Sequence, residues 1–465
     1  MTSPRSILIK NGYILTVNPK REIITEGAIY IEDGKIVDVG KTDAHSKYNA
    51  DLVIDAKNGI VMPGLIDTHV HLSQALIRGC ADDVSLVNWL KGYVWVLQGN
   101  FQGTDGVVSA ELCMAEMIRT GTTSFLDCMI HTRYGLDAIS QSVETAGMRA
   151  ALSKIVMDST GYADNPDIMY PGMVENADDC LKETDEMYKK WHGGADGRLQ
   201  IWYGLRSLGG VSHNLFKEVV RLAREKKTGM TMHLGEVVDD VEYVKDNGYP
   251  NLTSFAKDMG LLGSDMVFAH GIHFEDKELE LLAETKTNIS HCPSSNTKLA
   301  SGFAKIPQMM KAGVPVSIGC DGGPSNNTYD MVQEMRLTAL IHKPMVNDPL
   351  VLPAEQVIEM ATLNGAVAMG IQDEVGSLEV GKKADIIIIG MDDIGLTPNT
   401  NPVSNLVYSG SGHYVDTVIV DGRLLMEKKK LLTLDEAKVR SLAREHSTKL
   451  IERAGVKIEP KWPVR

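Results

Sequence analysis

Eight short, apolar, β-favouring runs alternate with amphipathic helical segments along the middle of the chain, and this alternation constrains the fold more than any other feature. Eight strands that alternate with helices predict an α/β fold of the (β/α)8 barrel type rather than a doubly wound sheet. The predicted barrel strands are, in chain order, "LIDTHVHL", "TTSFLDCM", "RAALSKIV", "LQIWYGL", "GMTMHLG", "MVFAHGI", "TNISHCP" and "VPVSIGCDG".

Both ends of the chain are rich in β-favouring residues and flank the barrel. Asn11-Gly12, Asp33-Gly34 and Asp421-Gly422 are predicted hairpin turns, because both positions of each pair tolerate positive φ. Neither end has enough strands to bury an apolar face alone, so the two ends together predict one small β-sandwich. The predicted domains are residues 1–59 (first part of the sandwich), 60–370 (barrel) and 371–465 (second part of the sandwich with a C-terminal helix).

Composition narrows the class of protein. A chain of 465 residues accommodates a barrel with an accessory domain, and its 43% hydrophobic and 23% charged residues are typical of a globular protein with a sizeable core. The net charge of −14 opposes binding to phosphate groups, so we expect no nucleic-acid partner. The sequence shows no secretory leader and no apolar run of about 18 residues, and its scattered cysteines indicate reduced thiols. These features predict a cytoplasmic enzyme without a membrane span.

Potential metal ligands stand at the ends of several predicted strands. His69 and His71 are two residues apart, so on a strand both side chains lie on one face. His233, His270 and Asp321 follow at later strand ends, and the carboxyl ends of barrel strands converge on one site. A set of three imidazoles and one carboxylate suits a single divalent ion, zinc first and Fe²⁺ as an alternative.

Glu236 lies three residues after His233, just past the predicted strand. A carboxylate there can take a proton from a metal-bound water and deliver it to a ring nitrogen of a substrate. The alternative is a surface glutamate, since the neighbouring "VVDDVEY" is acidic. His270 and Asp321 are predicted to orient the attacking hydroxide and to polarise the tetrahedral intermediate.

The remaining histidines are less clearly connected with the predicted metal centre. His291 stands at another strand end and Asn296 lies in the loop that follows, where both either line the pocket or stabilise the barrel rim. His342 falls in a helical segment and is predicted to be a surface residue.

These residues occur in motifs that resemble the amidohydrolase superfamily, in particular the branch of methylthioadenosine/S-adenosylhomocysteine deaminases, guanine deaminases and triazine hydrolases such as atrazine chlorohydrolase. The resemblance covers nearly the whole chain. It implies a barrel with a β-sandwich, a homo-oligomer (dimer or tetramer), and the following roles: metal ligation by His69, His71, His233 and Asp321, proton transfer by Glu236 and His270, and pocket positions at Trp89 and Ser325. The motifs are "DGKIVDVG", "GLIDTHVHL", "RGCADDVSLVNWL", "HCPSSNTKLASG", "DGGPSNNTYDM" and "GSLEVGKKADIIII".

The chain differs from the adenosine-type deaminases of this branch at positions that are expected to bind the substrate. Gln98 stands where those enzymes carry an acidic residue for the ribose hydroxyls, and an amide accepts two hydrogen bonds from a diol less well. Arg206 replaces a histidine, and Lys154 and Met173 stand near positions of arginines. Arg206 is predicted either to pair with a carboxylate or oxo group of the substrate, or to form a salt bridge with the acidic loops.

The sequence therefore predicts a metal-dependent aminohydrolase that attacks an aromatic N-heterocycle, such as a nucleobase or nucleoside, with metal-bound hydroxide. The alternatives are dechlorination or N-dealkylation of an s-triazine, and deamination of methylthioadenosine or S-adenosylhomocysteine. A non-catalytic scaffold is a third alternative, but such a protein would be expected to lack one or more of the ligands that this chain has.

Overall fold

The computed structural model describes residues 4–458 and 462–463 of the chain. The other residues of the two predicted sandwich segments, 1–3, 459–461 and 464–465, lie outside the described residues. The strands, in chain order, are β1 Ser6–Leu15, β2 Ile23–Glu32, β3 Lys35–Lys41, β4 Leu52–Asp55, β5 Ile60–Pro63, β6 Leu65–Val70, β7 Thr122–Ile130, β8 Arg149–Val156, β9 Leu199–Leu205, β10 Met230–Leu234, β11 Met266–His270, β12 Asn288–His291, β13 Val316–Ile318, β14 Ile386–Ile389, β15 Val415–Val420, β16 Arg423–Glu427 and β17 Lys430–Leu431.

Strands β6 to β13 form the predicted barrel. They pair in chain order, each parallel to the next, and coincide with the eight runs read from the sequence. A bridge between Val70 and Asp321 brings the first and last strands together, and the Asp321 N–H donates to the His69 carbonyl at 2.7 Å. Gly319 permits this approach, because a Cβ there would lie 2.7 Å from the His69 Cβ. The barrel prediction is confirmed.

The other nine strands form a second, mostly antiparallel sheet from both ends of the chain, as predicted. Strand β14 joins the two ends by pairing antiparallel with β5, and β5 pairs in parallel with β1. An apolar cluster combines isoleucines from both ends, among them Ile9, Ile29 and Ile386. Because β5 lies in this sheet, the sheet extends past residue 59; the domain boundaries themselves stay predictions.

Two of the three predicted hairpin turns are confirmed, and one is wrong. Asp33-Gly34 turns β2 into β3, and Asp421-Gly422 turns β15 into β16, with positive φ at each position. Asn11-Gly12 instead lies inside β1, where the pairing with β2 shifts register. The positive φ of Asn11 is used for a β-bulge, so the strand continues rather than reversing.

Helices connect the barrel strands and cover the outside of the barrel. The predicted C-terminal helix is present as Glu436–Ala454, and a π-helical turn, Leu90–Val94, interrupts the segment that follows β6. The remaining α-helices of four residues or more with helical geometry throughout are Leu86–Trp89, Trp95–Gly99, Asp105–Arg119, Leu136–Ala146, Ala177–Trp191, His213–Lys226, Val238–Asp246, Leu252–Asp258, Asp276–Glu284, Pro293–Lys298, Ile306–Ala312, Gly323–Asn326, Met331–Val346, Ala354–Met360, Leu363–Ala368 and Pro402–Tyr408.

A buried ion pair joins the barrel to the terminal sheet. Arg149 begins β8, and its Nε and Nη2 donate to the two carboxylate oxygens of Asp385 at 3.0 and 3.3 Å. Both side chains are at least 96% buried. The Asp385 carboxylate also accepts the Asp421 N–H, so it organises the turn between β15 and β16 as well.

Replacing Arg149 with methionine should lower the free energy of unfolding by about 3 kcal/mol, because it leaves a buried carboxylate without its cation. Urea denaturation measures this loss. Arg224→Met is the matched control: Arg224 makes the same two-pronged contact with Asp265, but its side chain is 42% exposed, and we expect less than about 1 kcal/mol. Equal losses in the two variants would contradict a special role for the buried pair.

The cysteines agree with the sequence prediction of free thiols. Cys80, Cys113, Cys128, Cys180, Cys292 and Cys320 are all unpaired and buried. Among the described residues, no helix has the length and apolarity that a membrane crossing requires.

Candidate metal centre

The predicted ligands meet at the carboxyl end of the barrel. His69 lies in β6 and His71 directly follows this strand, His233 lies in β10, and His270 is the last residue of β11. Asp321 comes three residues after β13. All five side chains are buried. Parallel strands of a barrel end at one face, which is why residues distant in sequence converge here.

Short distances join these side chains. Asp321 Oδ1 lies 3.1 Å from His71 Nε2 and 3.5 Å from His69 Nε2. The Nε2 atoms of His71 and His233 are 3.3 Å apart. The ligand atoms of His69, His233, His270 and Asp321 all lie within 4.8 Å of one another. Such a separation places these donors around a common point.

The hydrogen bonding of these residues fits a bound cation. Both ring nitrogens of His69, Nδ1 of His233 and Nε2 of His270 are buried and have no hydrogen-bond partner among the described residues. Burial also lowers the pKa of His69 to about 4, so its imidazole is neutral near pH 7. Buried polar atoms normally have partners, and a divalent ion would give one to a ring nitrogen of His69.

Asp321 is held in its charged form. Burial alone would raise its pKa, but the close approach of the His69 and His71 imidazoles outweighs burial and brings the pKa well below the usual value. The carboxylate therefore offers a negative charge to the same point as the imidazoles, as a cation site requires.

Glu236 and His270 form a second pair beside the ligands. Glu236 is buried, and its Oε2 lies 3.8 Å from His270 Nε2. His270 Nδ1 lies 2.8 Å from Asn296 Oδ1, and because a carbonyl oxygen accepts, Nδ1 carries the proton in this contact. Burial lowers the pKa of His270, but the charges of Glu236 and Asp321 outweigh it and raise the pKa. Asn296 therefore orients an imidazole that faces Glu236.

Two buried aspartates that the sequence analysis missed support the ligand loops. Asp67 accepts the N–H groups of His69 and Cys320 at 3.2 and 3.1 Å. Asp127 accepts the N–H of Leu72, which follows His71, at 2.7 Å. Burial raises the pKa of both carboxyls, to about 7 and about 6. A charged residue inside an apolar strand run is the signal that could have identified them.

Cys128 is a further neighbour that the sequence analysis did not connect with the site. Its Sγ lies 3.3 Å from both ring nitrogens of His71, so the thiol contacts this imidazole. Burial raises the thiol pKa well above its usual value. The thiol is therefore protonated at neutral pH in this environment.

Three of the predicted pocket residues are buried near the carboxyl end of the barrel, and each has different neighbours. The Gln98 side-chain amide donates to Ser73 Oγ at 2.9 Å, and the Trp89 indole N–H has no partner among the described residues. Ser325 Oγ bonds with the backbone of Gly322 and closes the turn after Asp321. Contact of these three residues with a substrate stays a prediction.

Arg206 lies against aromatic rings and forms no ion pair with the described residues. Its guanidinium carbon lies 5.4 Å from the ring centre of Trp95 and 5.9 Å from that of Tyr162. The side chain is more than nine-tenths buried, and no ion pair joins it to any residue in 4–458 or 462–463. Its charge contributes to lowering the pKa of His233, so the guanidinium is electrostatically coupled to the metal centre. The predicted alternative of a salt bridge with acidic loops is wrong.

The surroundings of His291 were not predicted. Its Nε2 lies 3.1 Å from Nε2 of His342 on helix Met331–Val346, and both rings are buried. The prediction of a surface position for His342 is therefore wrong, because a neighbouring buried histidine gives its polar atom a partner inside the protein. Contact of His291 with a substrate stays a prediction.

Lys154 is neutralised within the protein. Its Nζ lies 2.5 Å from Glu175 Oε2 and 3.3 Å from Glu183 Oε2, and the side chain is buried. Burial alone would raise the pKa of Glu175, but Lys154 and His131 bring it to about 2. The pairing leaves Lys154 no free charge for a substrate carboxylate. The Met173 carbonyl bonds with His131.

Comparisons with known proteins agree with the fold. A 5'-deoxyadenosine deaminase of Methanosarcina acetivorans is 38% identical over 448 residues, which cover 96% of this chain and 99% of that protein. A 5-methylthioadenosine/S-adenosylhomocysteine deaminase of Thermoanaerobacter pseudethanolicus is 35% identical, with 96% and 100% covered. The crystal structure of an adenosine deaminase from Xanthomonas campestris with bound zinc superposes with a TM-score of 0.90 at 27% identity, covering 96% and 98%. The model of the amidohydrolase family matches residues 60–425, and the chain belongs to this family of hydrolases.

Proposed function

We propose that this enzyme removes ammonia from an amino-substituted carbon of an aromatic N-heterocycle, with adenine-type nucleosides as the first candidates. The observation that carries the proposal is the close contact of Asp321 with His69 and His71, and of His71 with His233, beside the Glu236–His270 pair. Relatives named as deaminases of adenosine derivatives, matched over 96% of the chain, support the same reaction.

In this proposal His69, His71, His233 and Asp321 hold one divalent ion, which we propose to be zinc. Nitrogen and oxygen donors of this kind suit zinc and also Fe²⁺. When bound, the ion supplies Lewis acidity that lowers the pKa of a coordinated water toward neutrality.

Proton transfer is assigned to the protein's own carboxylate. Glu236 accepts a proton from the attacking water and passes it to the ring nitrogen next to the amino-bearing carbon. The new C–O bond makes that carbon tetrahedral. The C–N bond then breaks: the amino group takes up the remaining proton of the added hydroxyl and leaves as ammonia, and the ring keeps the oxygen as an oxo group. His270, fixed by Asn296, faces Glu236 and stabilises the charge that develops beside it.

The substrate pocket is proposed to include Trp89, Gln98, Arg206, His291, Asn296 and Ser325. A homo-oligomer, dimer or tetramer, and a cytoplasmic location are further proposals. The free, buried cysteines support a reducing compartment.

An ammonia-release screen with added zinc, Fe²⁺ or manganese tests the reaction. It would include purines, nucleosides such as 5'-deoxyadenosine and methylthioadenosine, pyrimidines, pterins and s-triazines. We expect ammonia from at least one amino-substituted purine compound. Chelator treatment should abolish the release and added metal should restore it, because the predicted nucleophile depends on the ion. Release of chloride or alkylamine from triazines, without ammonia from any purine compound, would contradict the proposal.

A further inference from the structure

Glu334 is a buried carboxylate that the reaction does not use. It lies in the first turn of helix Met331–Val346, with no measurable exposure to solvent. No lysine or arginine nitrogen of the described residues lies within ion-pair distance of it. Its oxygens accept three hydrogen bonds instead: from Ser294 N–H at 3.2 Å, Ser294 Oγ at 2.5 Å and Asn326 Nδ2 at 2.9 Å. Burial raises the pKa of Glu334 to about 8, and these three donors act against that rise, so they offset part of the cost of keeping this polar group inside the protein.

The donors belong to the two loops that hold the metal centre. Ser294 lies in the short helix Pro293–Lys298, and Asn296 of the same helix bonds with His270. Asn326 uses its amide group a second time, donating to the carbonyl of Cys320 at 2.8 Å. Cys320 directly precedes Asp321. One carboxylate therefore connects the loop that orients His270 with the loop that presents Asp321.

The two site residues that these hydrogen bonds support, His270 and Asp321, have strained backbones. His270 has φ of +71° and Asp321 has φ of +66°. The left-handed conformation costs a non-glycine residue about 1 kcal/mol or more, so it persists only where the surroundings hold it. The two loops braced by Glu334 supply part of these surroundings.

We infer that Glu334 is a positioning residue for the metal centre: it fixes the two loops so that His270 and Asp321 keep their strained geometry. The inference rests on the proposed function for the roles of these two residues. Glu334 itself contacts neither of them through any hydrogen bond observed here, so it acts through Ser294 and Asn326.

The test compares Glu334→Gln with Glu278→Gln. Glutamine has nearly the same size as glutamate, but its side-chain NH2 group is a hydrogen-bond donor. This group would face one of the three groups that donate to Glu334, and that hydrogen bond would be lost. Glu278 is a matched control because it is also buried and accepts two backbone N–H groups, from Thr253 and Glu275, outside both loops. The measurements are the zinc dissociation constant by chelator competition, the visible spectrum of the Co²⁺-loaded protein, kcat and KM, and the melting temperature.

We expect Glu334→Gln to weaken zinc binding about tenfold, to change the Co²⁺ spectrum, and to lower kcat with little change in KM. The reason is that loss of a residue that orients metal ligands lowers metal affinity or activity about 10–100-fold. Glu278→Gln should lower only the melting temperature. If Glu334→Gln also lowers only the melting temperature, the inference is overturned.

A second variant keeps the inference testable if Glu334→Gln does not fold. Ser294→Ala removes one donor and should shift zinc affinity and the Co²⁺ spectrum in the same direction by a smaller factor; a folded Ser294→Ala protein with both unchanged would overturn the inference. The metal measurements need no substrate. Failure of the wild-type enzyme to release ammonia would therefore contradict the proposed function, while the zinc and Co²⁺ results would still decide the role of Glu334.

Discussion

Replacing Glu236 with glutamine should lower kcat about 10⁴-fold while the protein still binds its metal. The amide cannot accept a proton from water, and general acid–base groups contribute about 10²–10⁴-fold to rate. Glu236 is not among the four residues that we propose to hold the ion, so the variant should retain its metal. Steady-state ammonia release and the metal content of the purified variant measure the two parts of this prediction.

Glu242→Gln serves as the control for Glu236→Gln. Glu242 lies on the next helix, Val238–Asp246, and is exposed, so the same change in charge should leave turnover unaltered. Turnover within tenfold of the wild type in Glu236→Gln would show that another group transfers the proton. Loss of metal in that variant would show that Glu236 is a ligand instead.

Replacing Arg206 with methionine should lower kcat/KM about 10³-fold for substrates that carry an oxo or carboxylate group, and should change it little for substrates without one. Arg206 is buried beside two aromatic rings and has no carboxylate in ion-pair contact among the described residues. A buried guanidinium needs an acceptor, and charge-assisted hydrogen bonds are about twice as strong as neutral ones. The physical expectation is that the substrate provides the acceptor.

Arg206→Lys separates charge from geometry. Lysine keeps the positive charge but not the planar pair of donors, so we expect kcat/KM between those of the wild type and the methionine variant. The measurement is kcat/KM for matched pairs of active compounds from the ammonia-release screen, with and without the acceptor group. A uniform loss across both members of each pair would instead indicate that Arg206 supports the pocket wall through Trp95 and Tyr162.

Local patterns of residues were sufficient to predict the barrel and the convergence of its ligands. His69 and His71 share a face because strand side chains repeat every second residue, and strands followed by helices close into a barrel that gathers their carboxyl ends. The turn at Asp33-Gly34 was likewise readable from two residues. The same reasoning failed at Asn11-Gly12, because the pairing of β1 with β2 and the nearby β5 decided that the chain continues there.

What the amino-acid order determined by itself was the periodicity of the elements and the presence of suitable ligand types at strand ends, since both depend on neighbouring residues alone. Only the tertiary structure decided which partners the buried polar groups find. His342 is buried beside His291, Lys154 is neutralised by Glu175, and Arg206 has no ion-pair partner in the part of the chain that the structure describes. Residues far apart in the chain meet in these contacts, and the free energy of a buried charge depends on the groups around it in space rather than on its neighbours in sequence.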